Sequence, residues 1–446
     1  MNDSILISII IPAYQVGSYI DVCIDSLNKI VISKEIFIVV DSWDDPTVKA
    51  CEKYTDASAD IKIILNDDKG MSEARNTGLR IAKGKYIWFV DADDWICGNY
   101  NTLLWEKLIE YKPEILMFDA GVVNETDEYW NINNYIRKDK IEEDSFFSGI
   151  DFFNKYYLKD AYRTPVWLNI FSREYLEEKQ LFFLKDYAHE DEDYTFRAIV
   201  SANKIVYLKE MFYIRRYRQF SAMTSGFHDK QINDFFLIMK SNTEFVHNMK
   251  DVTFHQIYKR YLYERINLLI DRISVSDSAI KNSWYRKVFS FFNEFILNWS
   301  NNKDLSGNLM IVETISHLKA VANGVLEDGE DEKALTDWRE EVDKRIDTCL
   351  ESDLEACLGI YGTGKHTKML LPVYEKVAAE KKRKLIFIDS TKESYSEKYE
   401  GYDVVNIKDV DIGMEIIISS FFKQDEIYEI IRNINVPYKV IKIYEY

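Results

Sequence analysis

Cysteine is scarce and unpatterned in this chain of 446 residues: Cys23, Cys51, Cys97, Cys349 and Cys357 are scattered, odd in number, and form no Cys-x-x-Cys pair. That argues against a disulfide framework or a cysteine zinc site, and it leaves reduced thiols, as expected of a cytoplasm-like compartment. Long apolar runs are lacking too, since none approaches the roughly 20 residues that cross a bilayer. No basic stretch precedes an apolar run at the N-terminus, so no secretory signal is expected. Positive charge is in deficit, with 57 Lys and Arg against 75 Asp and Glu, a formal balance of −18. A field of that sign repels phosphate backbones and anionic membranes, which argues against nucleic acid as a partner. Internal repeats and low-complexity tracts are missing as well. Apolar residues are plentiful, at 47%, and the length suits two or three domains, each with its own core.

The first 95 residues alternate between two periodicities. Apolar runs of strand length occur at Ile5–Ile11, Ile36–Val40, Ile61–Leu65 and Tyr86–Val90. Helical patterns lie between them near Gly17–Ile32, Asp45–Tyr54 and Met71–Lys83. Strands apolar on both faces and separated by helices predict a parallel sheet covered on both sides. Ligands of such sheets sit beyond the carboxyl ends of the strands, which singles out Pro12–Tyr14, Asp41–Asp45, Asn66–Gly70 and Asp91–Asp94. Residues 101–225 have a mixed pattern with an acidic cluster at His189–Asp193, and 226–345 read as polar and helical. The stretch Leu326–Lys333 reads as a solvated linker. The last hundred residues return to strand–turn–helix order, with predicted strands at Ala356–Tyr361, Leu385–Ile388, Glu415–Ser419 and Tyr438–Tyr444. The expected fold is therefore α/β, in three parts: 1–225, a helical segment 226–345, and a small Rossmann-like unit 346–446.

Pairs of acids one residue apart arise by chance on the order of ten times in so acidic a chain, so Asp91-Ala92-Asp93-Asp94 must be judged by its setting. It follows five strand-forming residues, Tyr86-Ile87-Trp88-Phe89-Val90. Side chains two apart on an extended segment share a side, so Asp91 and Asp93 converge where ligands bind. A hard divalent cation, Mg²⁺ or Mn²⁺, offsets their repulsion and completes its shell with water and diphosphate oxygens. An acidic loop leading into a helix is the alternative.

Four blocks coincide in order and spacing: Ile9-Ile10-Ile11-Pro12-Ala13-Tyr14; Gly70-x-Ser72-x-Ala74-Arg75-Asn76-x-Gly78; Gly84-x-Tyr86-Ile87; and Asp91-Ala92-Asp93-Asp94-Trp95. Over roughly the first 100 residues the chain resembles the family 2 glycosyltransferases of GT-A fold. The resemblance implies a nucleotide-sugar donor, a divalent metal at the Asp-x-Asp turn, and transfer with inversion. It makes Asp93 the direct metal ligand and puts Asp91 on the donor ribose or the metal-bound water. Asp94 is a weaker candidate. Pro12, Ala13, Tyr14, Asp41, Arg75 and Ala92 become donor-side residues. The chain departs from the family's Asp-Asp-Gly-Ser after the second strand, reading Asp41-Ser42-Trp43-Asp44-Asp45, which leaves the base open.

Family members carry a Glu-Asp pair ahead of a helix whose Asp is the general base. Here Glu190-Asp191 occupies that place, so the resemblance makes Asp191 the base and Asp193 the second choice. Acids in a helix's first turn are also favoured by its dipole. Arg163-Thr164-Pro165-Val166-Trp167 resembles the family's Trp-Asn-Lys block with Leu168 and Asn169 in place of the polar pair, leaving Trp167 as a wall of the acceptor site or as core. Tyr213–Thr224 resembles a closing segment, in which Arg216 or Arg218 with Ser221 would grip phosphates, as the planar guanidinium fork suits a diphosphate.

In Gly359-Ile360-Tyr361-Gly362-Thr363-Gly364-Lys365-His366, His366 stands where a Walker loop needs a hydroxyl, and Thr367 where a dinucleotide fingerprint needs its third glycine. The unit is Rossmann-like in expectation, with a structural or assembly role and self-association through it or the helical segment. A nucleotidyltransferase would need a basic loop after the first strand, which Pro12–Gly17 is not. A non-catalytic scaffold with a degenerate transferase domain is the other rival. The expected acceptor is a saccharide or lipid-linked saccharide of bacterial surface polysaccharide synthesis, met in the cytoplasm or at the inner membrane face.

Overall fold

The structure is a computed structural model. It describes residues 5–17, 19–66, 68–97, 101–124, 135–137, 139–142, 146–217, 228–249, 251–299, 305–321, 330–350, 357–395, 397–410, 414–420, 424–434 and 439–443. Two compact units emerge, one of residues 1–265 with 275–279, the other of 266–274 with 280–446.

The first unit runs β1 (Ile7–Ala13), α1 (Tyr19–Asn28), β2 (Lys34–Val40), α2 (Pro46–Ala57), β3 (Ile61–Leu65), α3 (Met71–Ile81), β4 (Tyr86–Phe89), β5 (Trp95–Ile96) and α4 (Asn101–Tyr111). It continues with β6 (Ile115–Asn124), β7 (Phe146–Phe147), α5 (Gly149–Tyr156), β8 (Asn169–Ser172), α6 (Arg173–Glu178), α7 (Glu190–Ser201), β9 (Ile205–Tyr217), α8 (Asp229–His247) and the first part of α9 (Val252–Val275), of which residues 266–274 belong to the second unit. Its sheet has the order β3-β2-β1-β4-β8-β6-β9-β5, with β7 on β9. The predicted parallel half is β3-β2-β1-β4. The rest differs from a purely parallel sheet, because β8 is antiparallel to both β4 and β6, and β5 turns back against β9. β6, β8 and β9 come from the stretch whose period was mixed. They pair residues far apart in the chain, which no local pattern encodes.

The glycines of the Gly70–Gly84 region explain how tightly the layers close. A Cβ on Gly84 would sit 2.5 Å from Ser8 N and 2.6 Å from Ile7 C, and backbone cannot step aside as a flexible side chain can. Gly84→Ala is expected to cost about 3 kcal/mol, the upper end for overpacking, read as a lower midpoint in urea unfolding at unchanged slope. α2 is started by Asp45, whose carboxylate accepts from Thr47 N at 2.8 Å ahead of Pro46, an N-cap worth about 1 kcal/mol. The core beneath the sheet's carboxyl end is aromatic, with Trp88 edge-on to Phe118 at 5.6 Å and Trp167 stacked on Tyr213 at 4.4 Å.

The second unit contains α10 (Lys281–Trp299), α11 (Leu305–Val321), α12 (Glu330–Cys349), β10 (Leu358–Tyr361), α13 (Lys365–Glu380), β11 (Leu385–Ile388), β12 (Lys398–Tyr399), β13 (Tyr402–Val405), β14 (Glu415–Ile418), α14 (Gln424–Asn433) and β15 (Lys439–Lys442). Its sheet order is β12-β13-β11-β10-β14-β15, parallel except for β12. This is the doubly wound arrangement expected of a Rossmann-like unit. Residues 330–333, read above as linker, open α12 instead, since their acids favour a helix N-terminus. Thr367, at the missing third glycine, donates to Ser419 O at 3.3 Å. Thr363 Oγ1 donates to Asp389 Oδ2 at 2.9 Å. The five cysteines are unpaired, and no helix among the described residues is long and apolar enough to cross a membrane.

Candidate active site

The loops after β1, β2, β3 and β4 meet at one edge, each held by the next. Gln15 N donates to both oxygens of Asp45, at 3.2 and 3.0 Å, which fixes the loop after β1 to the start of α2. Asp41, at the end of β2, accepts from Asn66 Nδ2 at 2.9 Å and from Gly70 N at 3.0 Å. Its carboxylate therefore braces the turn into α3, a duty that its expected place beside the donor did not reveal. Pro12 and Ala13 close β1, while Tyr14 and Trp43 stand exposed at 64% and 55%. Ala92 is buried between the two acids of the turn.

Arg75 is the centre of the arrangement. α3 carries it inward until its side chain is 1% exposed, beside the face of Phe183. Its Nη2 meets Asp91 Oδ1 at 3.0 Å, and its Nη1 meets Glu190 Oε1 and, at 3.5 Å, Asp191 Oδ1. One guanidinium thus joins the acidic turn after β4 to the acidic start of α7, residues 16 and 115 positions away in sequence. Arg75 was expected on the donor side; its guanidinium is held by the carboxylates of Asp91, Glu190 and Asp191. Burial opposes its charge, and the three carboxylates more than restore it, so its pKa is raised.

Burial pushes the Asp91 carboxyl up against the pull of Arg75 and Arg215, with Asp93 adding to the push. Asp94 is held well above the usual carboxylate range by burial and by Asp91 and Asp93. This crowd of like charges is what a cation relieves. Asp91 keeps 29% side-chain exposure and Asp93 is half-buried, so hard oxygen donors are available there and the residues fit Mg²⁺ or Mn²⁺. Among the described residues no set of three or more His, Cys, Asp or Glu side chains forms a metal cage. A cation at Asp91 and Asp93 would fill its remaining positions with water and ligand oxygens.

Asp191 is pushed up to about 8, first by burial, against Arg75, with Glu190 and Asp91 adding to the rise. Its Oδ1 accepts no hydrogen bond, and its Oδ2 meets Val166 N at 3.4 Å. Asp193, the second choice for the base, is fully buried and accepts from Arg197 Nε at 2.9 Å, one turn along α7. Of the two, Asp191 is the one that shares Arg75.

Arg216 is drawn to the acidic turn. Its N donates to Asp94 Oδ1 at 2.7 Å, its Nε donates to Asp93 O at 2.9 Å, and its guanidinium lies over the rings of Tyr19 and Trp95. Arg218 and Ser221 lie outside the described residues. Trp167 is 2% exposed and packed against Tyr213, so its ring belongs to the core. Sequence reasoning passed over Tyr213, whose hydroxyl donates to Asp94 Oδ2 at 2.7 Å and accepts from Asp91 N at 3.1 Å. Its place three residues before Arg216 on the same strand was the available signal.

The chain is 28% identical over 220 residues to the glycosyltransferase GlyA of Streptococcus pneumoniae serotype 4, covering 48% of this chain and 31% of that protein. It is 31% identical over 224 residues to EpsJ of Bacillus subtilis strain 168, described as an uncharacterized glycosyltransferase, covering 47% of this chain and 61% of EpsJ. The match thus spans less than two thirds of either relative. In fold, the chain resembles TarS of S. aureus with a TM-score of 0.55 at 16% identity, over 74% of this chain and 55% of TarS. Residues 8–166 match the family described as "Glycosyl transferase family 2", and over that segment the chain is similar to its members.

Proposed function

We propose that this protein transfers a sugar from a nucleotide-sugar, with a UDP-sugar favoured, to a hydroxyl of a saccharide or lipid-linked saccharide, inverting the anomeric centre. The observation that carries the reading is Arg75, which brings Asp91 and Asp191 onto one guanidinium. Asp93 and Asp91 are the residues that would hold Mg²⁺ or Mn²⁺, which when bound supplies Lewis-acid stabilisation to the departing diphosphate. Arg216, fixed beside the turn, adds positive charge at the same place, and Arg218 with Ser221 would extend that grip. Asp191 takes the proton of the acceptor hydroxyl as its oxygen bonds to the anomeric carbon and the bond from that carbon to the diphosphate breaks. A carboxylate raised to about 8 pulls strongly on a proton, and it acts as a base in the fraction ionised as pH rises through that value.

A donor panel with and without EDTA tests the proposal. Metal-dependent release of UDP or GDP, accelerated by saccharide acceptors, is the expected result. Nucleotide binding with no turnover from any donor would instead favour a scaffold built on a transferase fold. Synthesis of bacterial surface polysaccharide or glycoconjugate at the cytoplasmic face is the setting this reading implies.

A further inference from the structure

Asp94 and Tyr213 form a contact that the reaction as proposed does not use. Asp94 is 2% exposed and Tyr213 fully buried, yet both are polar, and a buried polar pair is kept only where each partner satisfies the other. The Asp94 carboxylate is spent on β9: Oδ2 accepts from the Tyr213 hydroxyl at 2.7 Å, and Oδ1 accepts from Arg216 N at 2.7 Å. The same hydroxyl accepts from Asp91 N at 3.1 Å. Asp94 N in turn donates to Asp91 O at 3.1 Å, closing the turn on itself. The tyrosine ring cannot swing, being stacked on Trp167 at 4.4 Å and 12° and set against Trp88 at 6.4 Å. β5 pairs with β9 through Trp95↔Ile214 and Ile96↔Tyr213, so the backbone leaving the turn is clamped to the strand that carries the tyrosine.

We infer that Tyr213 is a positioning residue that presets the Asp91–Asp93 carboxylates for a divalent cation, and that Asp94 is its anchor and not a metal ligand. The inference rests on the metal assignment above. Among the described residues no third side chain completes a cage around the two carboxylates, and such a pair binds a cation well only if its separation is fixed beforehand, because water and ligand oxygens impose no geometry on the protein. The hydroxyl fixes the first acid through its amide, the anchor fixes the residue after the second, and the stack of rings holds the hydroxyl.

The test is Mn²⁺ binding to the full chain, read by electron paramagnetic resonance with UDP present and independent of turnover. Tyr213→Phe keeps the ring stack and loses only the hydroxyl. We expect its Mn²⁺ dissociation constant to rise at least about tenfold, because the hydroxyl's bonds to Asp94 and from Asp91 N are both lost, with an unchanged far-UV spectrum. Asp94→Asn should weaken Mn²⁺ to a similar extent, whereas a metal ligand would lose binding altogether, as Asp93→Ala should. The double variant Tyr213→Phe/Asp94→Asn should weaken Mn²⁺ by less than the product of the two single effects, because the Tyr213–Asp94 bond is lost in both. Mn²⁺ affinity unchanged within twofold in Tyr213→Phe, with wild type binding, would overturn the inference and leave the metal assignment standing. A wild-type protein that takes up no Mn²⁺ would overturn both.

Discussion

Asp93→Ala is expected to lower kcat/KM for donor turnover by about three decades and to abolish its response to Mn²⁺. Metal stabilisation of a leaving diphosphate is worth several kcal/mol, and each 1.36 kcal/mol is tenfold in rate. Neighbouring carboxylates do not replace the lost ligand, since Asp94 is committed to Tyr213 and Arg216 and Asp91 already serves the same cation. The measurement is initial rate of UDP release against Mn²⁺ concentration for wild type and variant. Tight UDP binding by the variant, unaffected by Mn²⁺ in both proteins, would sink the metal assignment.

The second large effect concerns the proton. Asp191→Asn should slow transfer by about 10³-fold, within the range for loss of a general base, while leaving the dissociation constant for UDP within a few-fold. The wild-type pH profile gives an independent reading. A base must be unprotonated to act, and the Asp191 carboxyl is pushed up to about 8. Log kcat/KM should therefore climb with unit slope as pH rises and flatten above about 8, because kcat/KM reports the free enzyme. A flat profile from pH 6 to 9, with chemistry rate-limiting, would remove Asp191 from the role.

The parallel half of the sheet was legible in the chain because its strands are apolar on both faces and its helices keep a 3.6 period. β3 and β11 lie where the sequence places them, Ile61–Leu65 and Leu385–Ile388. The Asp91–Asp94 turn was singled out through its strand and Arg216 through the chemistry of diphosphates, and the structure sets the two side by side. Arg75 was singled out for a different duty. Its partners Glu190 and Asp191 are brought by a helix more than a hundred residues on, and helical period says nothing about which distant carboxylates an arginine will meet. Tyr213 was hidden for a similar reason, as one of 30 tyrosines on a strand whose neighbour, β5, is two residues long. Trp167 was left between a wall of the acceptor site and core, and its buried ring, stacked on Tyr213, takes the second place.

The position of β8 has a practical consequence for anyone wishing to shorten this protein. The segment matched to the family stops at residue 166, whereas β8, the strand that fills the sheet between β4 and β6, begins at Asn169. A fragment cut at 166 would expose one edge of β4 and of β6, row upon row of unpaired amides and carbonyls inviting strands from other molecules. It would also strip Arg75 of two of its three carboxylates while keeping the cation inside, an arrangement more costly than having neither charge. Such a fragment should come out as aggregate and not as a minimal catalyst, whereas a boundary beyond α8 keeps the sheet closed and the arginine paired.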